Sequence, residues 1–250
     1  MTQATLILSI AAFLTAALSA MIGMGGGITL LAVMVFFLPL ELLIPLHGCV
    51  QLVSNSSRVV SFIKHVHWPI FGKFCLACIP ASYVGLMAVG QLDENYTKAL
   101  IAVFILYAVY VAPKLKETSA KIFKNFFIAG TLAGSISMVV GATGPLIAPY
   151  FINNSLKKEQ IIATKAICQA MVHLLKVILF GAVLNFSITD HWILLSCMST
   201  AVILGTICGK WILENKVSDK TFRTLYRVVL TLVAVKILCY DSLYLGILGN

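Results

Sequence analysis

Along the chain, apolar runs of helical length alternate with short polar breaks, and the order of runs and breaks occurs twice. Residues 6–22 are apolar, the glycines of Gly23, Gly25, Gly26 and Gly27 interrupt the run, and 28–38 are apolar again before Pro39. Consecutive glycines are poor helix interior, so the pattern predicts two helices joined at a turn or an unwound point. A helix carrying polar residues follows at 42–63, then apolar helices at 70–89 and 99–111, with Asp93, Glu94 and Asn95 between the last two. After a basic stretch at 114–124 the pattern restarts: 126–140, a break from Gly141 to Pro145, 146–152, 161–184, 191–212 and 222–238.

The two halves align without a gap. Gly23 falls on Gly141 and Gln51 on Gln169, each pair separated by 118 positions (141 − 23 and 169 − 51). In the same register Gly26 meets Gly144, Glu41 meets Glu159, Phe62 meets Phe180, and Arg58 meets Lys176, so a cation is kept although the residue changes. Chance likeness between apolar segments supplies shared Leu, Ile and Val; glycine, glutamine and paired cations in register point to a duplicated unit.

Loop charge then gives the repeats opposite orientations. Lys64 and Lys73 in the first half stand against Asp190 in the second, and Asp93 and Glu94 against Lys216 and Lys220. By the positive-inside rule the halves are inserted upside down relative to each other. The expected fold is therefore an all-α integral membrane protein of two inverted-topology repeats, each opening with a glycine-broken helical hairpin, whose arms either re-enter or nearly span (five plus five), followed by three spanning helices. A continuous bent helix at each break, four plus four, is the alternative and would scatter the cations across both faces. Repeat 1 covers about 5–112, a basic linker 113–122, and repeat 2 about 123–245, within one polytopic domain of 1–250. Lys64, Lys73, Lys114, Lys116, Lys121, Lys124, Lys157, Lys158, Lys210, Lys216, Lys220 and Arg223 then share the cytoplasmic face, Lys98 lies opposite, and both termini are outside.

Composition agrees with this and removes other classes. A chain that is 60% hydrophobic and 11% charged, with mean hydropathy +0.99, has too little polar surface to cover a soluble globule. The first run has no Lys or Arg ahead of it and reads as a retained helix. The net charge of +9 sits in short loops, where it sets orientation, and nucleic-acid binding is not expected. The seven cysteines fall mostly inside apolar runs; Cys75 and Cys78 form a CxxC with no second pair or adjacent histidine, so packing is expected, with no metal site and no cofactor. Gly130/Gly134 and Gly205/Gly209 have the small-xxx-small spacing of closely packed helices.

The chemistry lies in the two polar helices. His47, Gln51, Asn55 and Arg58 are spaced four, four and three apart and form one stripe; Lys165, Gln169, His173 and Lys176 occupy the aligned positions. Polar groups at this depth are costly unless they face protein or water, which gives them a lining role; interhelical hydrogen bonding is the structural alternative, strongest for Gln51 and Gln169. None of the nine acidic residues lies mid-segment, whereas Arg58, Lys165 and Lys176 do, so the pathway should prefer anions. A helix restarting at mid-membrane also points free N–H groups and its positive dipole end at the gap. Gly25, Gly26, Gly27, Thr143 and Gly144 are thus candidate donors, Gln51, Asn55, Gln169 and His173 complete the substrate site, and His47, Arg58, Lys165 and Lys176 are pathway cations. Arg58 and Lys165 fall toward the cytoplasm, His47 and Lys176 toward the outside.

The Gly23 to Gly27 break, the run from Pro45 to Arg58, the break from Gly141 to Pro145 and the stretch from Ala163 to Gln169 together resemble the TauE/SafE family of membrane transporters, over essentially the whole chain. The resemblance implies transport across a bacterial inner membrane, with export of sulfite or organosulfonates in characterised members. A secondary transporter of a small anion working by alternating access is the resulting expectation, with protons as a candidate coupling ion through His173, whose ordinary imidazole titrates near pH ~6.5. A passive anion channel is the alternative. No nucleophile and base pair stands at depth, so no enzyme is expected; the sequence assigns no oligomeric state.

Overall fold

The computed structural model describes residues 3–22, 25–89, 91–115, 121–152, 156–214 and 230–239. Every regular element among them is helical. The order is α1 (Gln3–Ile22), α2 (Gly26–Met34), α3 (Leu40–Phe62), α4 (Trp68–Val89), α5 (Glu94–Leu106) running on through a π-helical turn at Tyr107–Val111 into α6 (Ala112–Leu115), then α7 (Phe126–Val140), α8 (Gly144–Ile152), α9 (Lys158–Leu184), α10 (Trp192–Glu214) and α11 (Leu230–Cys239). Of the residues read from sequence, Gly23, Met24, Lys116, Lys216, Lys220, Arg223 and the start of the last predicted helix lie outside the described ones.

Element boundaries keep the 118-residue register. α2 begins at Gly26 and α8 at Gly144, and they end at Met34 and Ile152; α1 ends at Ile22 and α7 at Val140. The arms after each break have nine residues, about 14 Å of helix, against the ~30 Å of a bilayer core, so neither crosses it alone. Among the described residues five helical stretches are long and apolar enough to span: Gln3–Ala20, Trp68–Val89, Glu94–Leu115, Glu159–Leu184 and Thr189–Gly209. α3 has the length, 23 residues, but carries the polar stripe and is not among them.

Acidic residues sit where helices start. Glu41, Glu94 and Glu159 lie in the first turns of α3, α5 and α9, near the positive dipole end, and Asp93 caps α5 by accepting from Asn95 N–H at 2.8 Å. Outward faces are apolar, as lipid requires: Leu76, Tyr83 and Val84 on α4, and Leu204, Ile207 and Trp211 on α10, are all exposed.

The packing is reciprocal between halves. α1 packs on α10, and α7 on α4; α3 packs on α9 at the centre; α3 meets α10 as α9 meets α4. Each outer pair is held by glycines of the predicted small-xxx-small motifs. A Cβ at Gly130 or Gly134 would strike the backbone of Phe74 or Cys78 on α4, and one at Gly205 or Gly209 the backbone of Phe13 or Ala17 on α1. The ascending order on both partners means that α7 runs parallel to α4, and α10 to α1. α3 and α9 run antiparallel, because Gly48 lies against Lys176 while His67 N–H donates to the Thr164 hydroxyl at 2.9 Å. α2 doubles back on α1, with Gly26 set against Thr15 and Ser19.

Candidate functional site

The antiparallel crossing of α3 and α9 brings both polar stripes to the middle of the bundle. There the starts of α2 and α8 meet them. Gly27 lies against Gln51, where an added Cβ would come 3.0 Å from Oε1, and Gly144 lies against Gln169, where it would come 3.3 Å from Nε2. The aligned glutamines thus flank the aligned helix starts.

Between these elements is a narrow cavity of about 20 Å³, room for a water molecule or two. Its wall includes Gly25, Gly27, His47, Gln51, Arg58, Thr143, Gly144, Lys165, Gln169 and His173, ten of the thirteen residues singled out in the sequence. Ser19, Ile28, Ala142 and Pro145 also line it. Ser19 gave no sequence signal, because a serine in an apolar helix is ordinary; it reaches the wall because α2 folds back along α1.

Three of the singled-out residues stand behind the wall. Gly26 is used for close packing on α1, since no side chain fits between it and the Thr15 carbonyl. Asn55 is fully buried; its amide donates to the Gln51 carbonyl at 2.8 Å and its Oδ1 accepts from Arg58 Nη2 at 3.0 Å. Lys176 is wholly buried, with Nζ donating to the Gly141 carbonyl at 2.6 Å.

No carboxylate lines the cavity among the described residues, while the basic side chains Arg58 and Lys165 do. First-turn amides add to this. Thr29 N–H bonds back to the Gly25 carbonyl and Leu146 and Ile147 N–H to that of Thr143, which leaves the first amides of α2, Gly26 to Ile28, and in α8 that of Gly144, since Pro145 has none, without an intrahelical partner. Gln169 Nε2 stands 3.5 Å from the Thr143 hydroxyl, joining its helix to the second break.

The histidines face each other across the crossing, ring centroids 5.8 Å apart and edge to face. His47 Nε2 lies 2.8 Å from the Gly27 carbonyl, and since a carbonyl only accepts, Nε2 carries the proton there. Nδ1 of both His47 and His173 is buried without a protein partner. The lining therefore runs from Arg58, half-buried, to His47 and His173, both buried, with Lys176 buried behind it.

Fold and cavity define a polytopic helical membrane protein with a small, donor-rich central site that no carboxylate among the described residues lines. The sequence model of the family described as sulfite exporter TauE/SafE matches residues 8–237, nearly the whole chain, and the protein belongs to that family. The family is one of membrane transporters, with a small anion as the class of substrate. No curated protein and no solved structure gives a significant match.

Proposed function

We propose that this protein is a secondary transporter that exports a small anion, sulfite or an organosulfonate, by alternating access between two inverted repeats. The observation that carries the reading is the cavity itself: Arg58, Lys165 and two helix starts converge on it, and among the described residues no carboxylate does. An anion entering it exchanges hydration for charge-assisted hydrogen bonds in a partly dehydrated setting, where such bonds are strongest. A cation would meet the repulsion of Arg58 and Lys165 with no carboxylate among the described lining residues to offset it.

The reciprocal packing supports the inverted reading. If α1 enters from one side and α2 returns to it, the observed directions make α3 cross, α4 return and α5 cross again, so that α7 starts from the other side, parallel to α4. The basic ends at Lys64, Lys121 and Lys157 then share a face, which the positive-inside rule assigns to the cytoplasm of a bacterial inner membrane, with both termini outside. Cysteines at Glu94 and Lys121 should label from opposite sides; labelling from one side would end this topology. Protons are the candidate coupling ion, through His173, and flux that ignores a pH gradient would remove them.

The test of transport is counterflow. Liposomes holding purified protein and loaded with unlabelled sulfite should accumulate labelled sulfite transiently above equilibrium, and uptake should saturate. Flux linear in sulfite without counterflow would identify a passive channel, and no flux would reject the reading.

A further inference from the structure

The cavity ends against a cation that does not face it. Lys176 lies three residues beyond His173 on α9, is wholly buried, and reaches the Gly141 carbonyl rather than the cavity. Gly141 is the C-cap of α7, with φ 82, and its own N–H returns to the Ser137 carbonyl. A helix C-terminus leaves carbonyls unsatisfied and carries partial negative charge, so an ammonium there meets both a hydrogen bond and a favourable dipole.

The lysine also has a fitted channel. A Cβ built on Gly48 of α3 would come 3.0 Å from Lys176 Cδ and 3.4 Å from Cγ, so a side chain at 48 would crowd the stem where it passes α3. Gly48 is buried and does not line the cavity. Two residues past Gly141 stands Thr143 and then Gly144, both in the cavity wall. The only ion pair among the described residues joins Lys98 and Glu94, far along the chain from this ammonium.

We propose that Lys176 is a positioning residue and not a ligand of the anion. By capping α7 at Gly141 it fixes the second break, holds Thr143 and the start of α8 in the wall, and closes the cavity at the end away from Arg58. What the wall binds rests on the anion-transport reading; the clamp does not.

The test uses the full chain without its native cysteines, in lipid nanodiscs, with a reporter at Ala142→Cys, a wall position 3% exposed. The probe is a neutral, polar methanethiosulfonate, so that a lost charge does not itself change the labelling rate. Loss of a charged hydrogen bond corresponds to about a tenfold or greater change in an opening equilibrium, and Lys176→Gln should speed labelling by about that factor. Lys176→Arg should label as fast, because the longer planar guanidinium keeps the charge but does not fit between Gly48 and Gly141. Gly48→Ala should speed labelling in the wild-type background and add nothing to Lys176→Gln. In sulfite uptake the same variants should raise the half-saturating concentration and keep the maximal rate per folded protein.

Slow labelling restored by Lys176→Arg, or a wild-type rate in Gly48→Ala, would overturn the clamp. If Lys176→Gln does not fold, those two variants decide alone. Wild-type vesicles without saturable sulfite uptake would remove the transport reading and leave the labelling arm to decide Lys176 by itself.

Discussion

The two breaks are cut to one register yet held by residues at different aligned positions. In the second half Lys176 holds the Gly141 carbonyl and Lys165 lines the cavity. In the first half His47, aligned with Lys165, holds the Gly27 carbonyl, while Arg58, aligned with Lys176, bonds Ser54 and Asn55 on its own helix and lines the cavity. Antiparallel packing of α3 and α9 explains the exchange. It sets position 47 beside 176 at one end of the crossing, and carries 58 toward the end where His67 meets Thr164. Depth in the bundle, not place in the alignment, decides which residue reaches a break carbonyl; of the two that do, His47 also lines the cavity and Lys176 does not.

That division can be broken at either end. The largest effect is expected at Arg58. Removing a cation that donates charged hydrogen bonds costs about 1.5–3 kcal/mol, so Arg58→Gln should raise half-saturating sulfite by about ten- to a hundredfold and leave the labelling rate at position 142 unchanged. An Arg58→Gln variant that instead speeds labelling would show both cations to be clamps.

A smaller effect is expected at the glutamines, where the halves are alike. Gln51→Ala and Gln169→Ala each remove neutral donors worth about 0.5–1.5 kcal/mol, so each should raise half-saturation by roughly three- to tenfold, and by similar factors. Loss of thermal stability with wild-type half-saturation would make them interhelical glue.

Much of this was legible in the sequence because duplication writes the same physics twice. The break glycines, Gln51 with Gln169, and the paired cations were found by register alone, and the structure sets ten of the thirteen singled-out residues around one cavity. The small-xxx-small pairs were legible for the same reason that they work, since a missing Cβ at that spacing has one common use. What sequence could not separate was lining from holding. Lys176 and Lys165 are both mid-segment lysines on one stripe, and only the Gly141 carbonyl and the space above Gly48 tell them apart. Gly26 carries the same ambiguity: a glycine that frees an amide and one that admits a neighbouring backbone look identical until α2 is seen folded against Thr15. The length of the hairpin arms likewise came from structure, where nine-residue α2 and α8 fall well short of a crossing.

Whether the cavity at the α3 and α9 crossing is the anion site is tested most directly by binding without transport. Sulfite should be titrated calorimetrically into purified wild type and into the Arg58→Gln/Lys165→Gln double variant, each checked for an unchanged elution profile. Wild type should bind saturably at one site per chain, and the double variant should show no measurable binding, since both cations on the cavity wall are gone. Equal affinity in the two proteins would place the anion elsewhere and contradict the site proposed for this transporter.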